Sequence, residues 1–373
     1  MKWLRECTEK DLSGKRVLLR VDYNTELVSQ PDGHKTMLDD YRVQASFESI
    51  DYLLRHHACI VLLAHLGEPK GIDPALSLEP IFQYLVKYYS DAVFVHTLEE
   101  LAAKSAEGAS LILFENIRFL PEEYSNDIGL AKKLAEFGDI YVNDAFAVSH
   151  KNNASLVALA GLLPSFAGFQ LEKEITKLNT ILLTPKHPLV CIVGGIKIDT
   201  KLPLLTHLAR FADTILLGSG LVAPLLTQNQ EEIKVLLNTG KLILPEDVVV
   251  RHGDDVSTFL LHDINVTHGE THTILDIGPI AIERYAACLR DTAMIMWNGP
   301  LGFFEDPRFE AGSVAIARKI SESPATSIVG GGETVALIRK LNLVSKFDFV
   351  STGGGAMIAY LSGKELPGIK ALQ

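Results

Sequence analysis

Leu189-Val190-Cys191-Ile192-Val193-Gly194-Gly195-Ile196-Lys197-Ile198-Asp199-Thr200-Lys201 reads as a strand, a glycine turn and the opening of a helix. Its first five residues are apolar without alternation. A strand of that kind is buried on both faces, which is the signature of a parallel sheet covered by helices. The same unit recurs outward in both directions. Apolar, β-branched runs at 17–21, 59–64, 111–114 and 140–142 precede it, and runs at 214–217, 293–297, 327–329 and 347–350 follow it. Each is followed by turn residues and a helix-like pattern, so the expected fold is α/β, with two Rossmann-like three-layer α/β/α domains built on parallel sheets.

Two domains also suit a chain of 373 residues, too long for one ordinary core. Between the halves, Leu171, Ile175, Leu178 and Leu182 fall at helical spacing, and Pro185 and Pro188 stop the pattern. This predicts a linker helix across 169–184 that serves as a hinge between a first domain, 1–168, and a second, 185–359.

Bulk properties narrow the function classes. Hydrophobic residues at 47% and charged residues at 22% are ordinary globular usage. A net charge of −11 argues against general nucleic-acid binding, so any anionic ligand must be held where a few Arg and Lys converge. The first residues, MKWLRECTEKDLSGKR, hold no apolar stretch of signal-peptide length, and no segment has the ~20 apolar residues of a membrane span. The expectation is a soluble, cytoplasmic protein with no membrane partner. Cys7, Cys59, Cys191 and Cys288 lie far apart without a CxxC pair, which predicts neither disulfides nor a zinc site.

In open α/β sheets ligands bind beyond the carboxyl ends of the strands, and polar clusters fall there in this sequence. In the first half these are Arg20-Val21-Asp22-Tyr23-Asn24, then Arg42, His65-Leu66-Gly67, Asn116-Ile117-Arg118 and Ser149-His150-Lys151. A lone Arg is more often a surface residue. Several at strand ends favour shared recognition of carboxylate or phosphate, with Lys151 as a further point charge and Asp22 and Asn24 as acceptors for hydroxyls.

In the second half, Gly194 and Gly195 are joined by Gly218-Ser219-Gly220, Gly330-Gly331-Gly332-Glu333-Thr334 and Ser351-Thr352-Gly353-Gly354-Gly355. A single such turn commonly just joins strand to helix, and no GxxxxGK[ST] spacing is present. Four of them suggest a backbone brought close to a nucleotide. Lys197 and Lys201, four apart, are expected on one helical face toward phosphates. Glu333 and Thr334 open a helix, where a carboxylate either holds magnesium or simply favours the helix dipole. Asn298, Pro300 and Glu305, in Trp297-Asn298-Gly299-Pro300-Leu301-Gly302-Phe303-Phe304-Glu305, offer an apolar wall and a ribose acceptor, or form a rigid turn.

RVDYN, AHLGEPK, FENIRF, VNDAF, GGIKIDTK, WNGPLGFFE, GGGET and STGGGA, in that order, resemble phosphoglycerate kinase from end to end. The resemblance implies a first domain binding 3-phosphoglycerate or 1,3-bisphosphoglycerate, a second binding Mg-ADP or Mg-ATP, a C-terminal tail (360–373) returning to the first, and a monomer. It assigns Asp22, Asn24, Arg42, His65, Arg118 and Lys151 to the acid and makes Arg20 the core catalytic arginine. Lys197 and Lys201 become phosphate-binding lysines, Lys201 acting on the transferred phosphoryl while Gly353 and Gly354 present amides to it. Gly194, Gly195, Gly218, Gly220, Asn298, Pro300, Glu305, Gly331, Gly332 and Thr334 fall to the nucleotide, and Glu333 to magnesium. In-line transfer and hinge closure follow from the same resemblance.

The sequence departs from the family pattern at Glu68 and Lys151, both arginine in the family, and at Glu333, Ile196 and Ser219 on the nucleotide side. Glu68, a charge reversal beside an anionic substrate, is expected to weaken acid binding by ~1–3 kcal/mol. Ile196 replaces a small residue and is expected to crowd the nucleotide. A paralogue that binds nucleotide without glycerate chemistry is the alternative. A Rossmann dehydrogenase is disfavoured, because no GxGxxG follows the first strand.

Overall fold

Apolar β-branched runs pair where their backbones can be shielded on both faces, and the computed structural model arranges them in two parallel sheets. It describes all residues except 32, 34, 229 and 265–272. The first half contains β1 (Arg16–Arg20), β2 (Leu27–Ser29), β3 (Lys35–Met37), β4 (Cys59–Leu63), β5 (Val93–Val95), β6 (Leu111–Phe114), β7 (Ile140–Asn143) and β8 (Ser165–Ala167). Six of these form one sheet in the order β5-β6-β4-β1-β7-β8, and β2 and β3 make a separate hairpin. Pairing of β1 with β4 and with β7 is parallel, and brings Arg20, Leu63 and Asn143 to one level at the carboxyl edge. Leu19, Val21, Ile60, Leu62, Leu113 and Val142 lie in the core behind that edge.

The second half contains β9 (Leu189–Val193), β10 (Thr214–Leu217), β11 (Leu242–Ile243), β12 (Asp247–His252), β13 (Asp255–Leu260), β14 (Thr273–Ile277), β15 (Met294–Asn298), β16 (Thr326–Gly330) and β17 (Phe349–Val350). Its parallel sheet runs β11-β10-β9-β15-β16-β17. The antiparallel sheet β13-β12-β14 was not expected from the sequence. Strand β13 is exposed along its whole length, so it lacks the continuous apolar run that marks the others.

The chain divides into two compact units, Met1–Ile175 with Glu365–Gln373, and Thr176–Lys364. The division falls inside the helix Phe169–Leu182. The last residues are tied to the first unit: Gly368 N donates to Ser149 O at 2.8 Å, and Asn143 Nδ2 donates to Gly368 O at 3.1 Å. Among the described residues no helix is long and apolar enough to cross a membrane.

Candidate active site

Strand ends of the first unit carry a basic rim. Arg20 closes β1 and has no exposed surface; its Nε donates to Ser155 Oγ at 2.8 Å, Nη1 to Val21 O at 2.5 Å, and Nη2 lies 3.3 Å from His65 Nδ1. Glu123, itself buried, lies 4.0 Å away and offsets the charge, and accepts from Ser155 N and Oγ. Its Nε, Nη1 and Nη2 thus all face protein groups in this structure. It stands between His65 and Glu123.

Burial first, then the charges of Arg20, Arg118, Arg42 and Lys151, hold the His65 imidazole pKa well below its usual value, so the ring is neutral. A guanidinium only donates, which makes Nδ1 the acceptor and leaves the proton on Nε2. Nε2 is buried without a protein partner, and so is Arg118 Nε. Two orphaned donors in one basic rim are what an acceptor-rich ligand would satisfy.

The other acid candidates join the same rim. Arg42 pairs with Asp22, whose other oxygen accepts from Asn24 N at 3.1 Å. Asn24 Oδ1 accepts from Gly67 N at 2.8 Å, and Gly67 O accepts from Arg118 Nη1 at 2.7 Å. Of the three arginines Arg42 is the accessible one, with a quarter of its side chain exposed. Lys151 is exposed and contributes its field. Sequence reasoning missed Glu123, Ser155 and Tyr124. Tyr124 places its ring 5.4 Å from the Arg118 guanidinium.

In the second unit the glycine turns surround a cavity of about 1040 Å³, lined by Gly195, Lys197, Lys201, Gly220, Asn298, Pro300, Glu305, Gly331, Gly332, Glu333, Thr334 and Gly354. Gly194 and Gly218 stand behind this wall. A Cβ on Gly194 would lie 1.9 Å from Pro300 O, and Gly299, at φ +94°, packs back against Gly194 O. The loops after β9 and β15 thus approach closely only because both are glycine there. Gly194→Ala is expected to force Pro300 away and weaken ADP binding at least tenfold by calorimetry; unchanged affinity would show that the loops yield.

Two expectations need correcting. Lys197 and Lys201 do not share a helical face, because Lys197 is the extended, exposed residue before the helix Ile198–Leu208 while Lys201 is inside it and buried. Gly353 N–H is not free for a phosphoryl group, since it donates to Ser351 Oγ at 3.1 Å, whereas Gly354 lines the cavity. Ile196 stands at the cavity lip with 77% of its surface exposed.

Lys201 Nζ donates to Asn298 Oδ1, and burial pushes its pKa down to about 8, with the charge of Glu333 opposing the shift. Thr334 Oγ1 accepts from Gly299 N at 2.8 Å and so braces the turn after β15. Glu333 is exposed at the start of the helix Gly332–Lys340. Among the described residues no three His, Cys, Asp or Glu converge on a metal position. A single carboxylate beside a phosphate cavity fits magnesium, which commonly takes one or two carboxylates and shares the phosphate oxygens. Thr273, Ile274 and Leu275 of β14 in the far wall were missed because β14 belongs to the unexpected sheet; Phe303, from the apolar wall read in the sequence, and Ile358 complete that wall.

Bound phosphates would draw the Lys201 pKa back up, so between pH 8 and 10.5 ADP binding should take up a proton. At pH 9 free Lys201 is mostly neutral and bound Lys201 charged, whereas at pH 7 it is charged in both. Calorimetry in buffers of different ionisation enthalpy should show uptake at pH 9 that fades toward pH 7. Equal heats at pH 9 would contradict the assignment.

Known proteins resemble this chain along its length. The phosphoglycerate kinase family model matches residues 7–364. A phosphoglycerate kinase of Chloroflexus aurantiacus is 37% identical over 97% of each chain, and a cytosolic phosphoglycerate kinase of Nicotiana tabacum is 38% identical over 98% of this chain and 96% of its own. The solved phosphoglycerate kinase of Coxiella burnetii superposes with a TM-score of 0.80 at 32% identity, covering 97% of this chain and 96% of its own. That of Pyrococcus horikoshii gives 0.82 at 29% identity, covering 100% and 98%. These matches run through both units, against the reading of a divergent paralogue.

Proposed function

The chain belongs to the phosphoglycerate kinase family, and from that premise we propose that it transfers a phosphoryl group reversibly between 1,3-bisphosphoglycerate and ADP, giving 3-phosphoglycerate and ATP. The observation that carries the reading is the pair of orphaned donors, His65 Nε2 and Arg118 Nε, within a rim of three arginines. An acid with a carboxylate and a phosphate supplies the acceptors they lack.

Arg42 is the arginine we assign to the transferring group, because Arg20 is enclosed and Arg118 is nearly so. Asp22 and Asn24 orient it and receive the substrate hydroxyl. In the other unit Lys201, charged below about pH 8 and already desolvated, meets the phosphoryl oxygens, and Lys197 and the amide of Gly354 lie along the same cavity. Asn298, Pro300 and Glu305 take the nucleoside, and Gly195, Gly220, Gly331 and Gly332 leave its phosphates room. Glu333 would hold magnesium, which when bound would help offset the charge of the phosphates.

An acyl phosphate already has a good leaving group, so transfer is direct and the residues align, neutralise and exclude water. Direct transfer requires the two ligands to meet, and we assign that hinge motion to the helix Phe169–Leu182. The cytosolic name of the tobacco relative supports a cytoplasmic location. A coupled assay of ATP-dependent phosphorylation of 3-phosphoglycerate tests the proposal; turnover no higher than that without protein would sink it.

A further inference from the structure

Glu68 lies on the loop after β4, and its Oε1 is 3.1 Å from Arg118 Nη1. Three other bonds hold that loop across the arginine. Gly67 N donates to Asn24 Oδ1, Gly67 O accepts from the same Nη1 of Arg118, and Pro69 O accepts from the Tyr124 hydroxyl at 3.0 Å. Arg118 is therefore covered on its face by Tyr124 and on one edge by Glu68, while its Nε has no partner.

Exposure divides the ion pair unequally. Arg118 is 3% exposed and fixed, whereas Glu68 is 65% exposed and has water to move into. A buried guanidinium held by one carboxylate oxygen at Nη1 gains from a ligand that satisfies Nη1 and Nη2 at once, as a carboxylate or phosphate does in the end-on fork geometry. Glu68 uses only one of those donors. Its single contact is the weaker arrangement, and it is reversible.

We propose that Glu68 is a tethered competitor for the anionic group of the acid: its carboxylate occupies Arg118 in the free protein and must swing out before the acid can take the fork. This rests on the reading of the first-unit rim as the acid site given under Proposed function. One anion replaces another at an unchanged guanidinium, and no proton or bond is exchanged. The consequence is a higher concentration of acid needed for saturation, with the nucleotide untouched.

The test is calorimetric titration of the full chain with 3-phosphoglycerate, without nucleotide, alongside Michaelis constants for both substrates. Glu68→Gln should tighten acid binding and lower the acid Michaelis constant by roughly three- to tenfold, as for a half-exposed charge-assisted contact. The Michaelis constant for ATP should stay within twofold of its starting value. Glu9→Gln removes the same charge from an exposed position of the same unit and should change neither constant. Tyr124→Phe keeps the ring on Arg118 but drops the hydroxyl that ties the loop, and should shift acid binding in the same direction as Glu68→Gln. Unchanged or weaker acid binding in Glu68→Gln, or an equal gain in Glu9→Gln, would overturn the proposal. If neither the parent protein nor Glu68→Gln binds 3-phosphoglycerate, the reading of the rim falls and the competitor with it; if both bind it equally, only the competitor falls.

Discussion

Lys201→Ala lowers kcat by about 10²–10³-fold, the cost of removing one preorganised charge from a phosphoryl-transfer site. Burial sets the size of the effect. Lys201 is held inside the helix Ile198–Leu208 with its ammonium on Asn298 Oδ1, and desolvation has brought its pKa down to about 8. A cation stripped of water before the ligand arrives need not be stripped during the reaction, so its attraction for developing phosphoryl charge is nearly undiluted. Below pH 8 the buried ammonium opposes folding, because the unfolded chain protonates this side chain more readily; the penalty fades as pH rises from about 8 to 10.5. Alanine removes that penalty together with the bond to Asn298 and the buried methylenes, so activity should collapse while the urea midpoint stays close to that of the parent. A kcat loss below tenfold would show that Lys201 does not act on the reacting group.

Arg20→Ala has the opposite profile, with stability as its main casualty. Removing the guanidinium leaves Glu123 buried beside Ser155 with no positive partner, and the expected loss is about 3–5 kcal/mol. His65 also loses the donor that fixes its tautomer, so the proton no longer has a reason to sit on Nε2. Urea unfolding of the full chain measures the first effect, and the acid Michaelis constant of whatever remains folded measures the second. A loss under 1 kcal/mol would mean that Glu123 is protonated and neutral, since burial already pushes its pKa up.

How much of this was legible beforehand depends on what each residue's neighbours had to reveal. The parallel sheets were readable because β1, β4, β6, β9, β10 and β15 are continuous apolar runs with little other use for such a pattern. Edge strands β5, β8 and β11 have only two or three residues and leave no periodicity to detect. The sheet containing β13 was invisible because that strand is exposed on every residue.

Within the site, residue types at strand ends located the rim and the cavity, but not the division of labour. Nothing in the string RVDYN reveals that Arg20 points inward to Ser155 and Glu123 while Arg42, from another segment, stays accessible. The spacing of Lys197 and Lys201 implied a shared face only if both were helical, and the helix begins between them. Gly353 looked like a free amide because its bond to Ser351 Oγ is a local turn that composition does not announce. Glu68 was recognised as a reversed charge in the right region, yet its pairing with Arg118, whose face Tyr124 covers, required three segments in register.

Direct passage of a phosphoryl group to the carboxylate of 3-phosphoglycerate is read out by hydroxylamine trapping. An acyl phosphate formed from ATP and the acid is captured as a hydroxamate, which draws an unfavourable equilibrium forward and counts each transfer. One glycerate hydroxamate per ADP released is expected with the parent protein and none above background with Lys201→Ala. ADP released without hydroxamate, or no ADP released at all, would contradict direct passage.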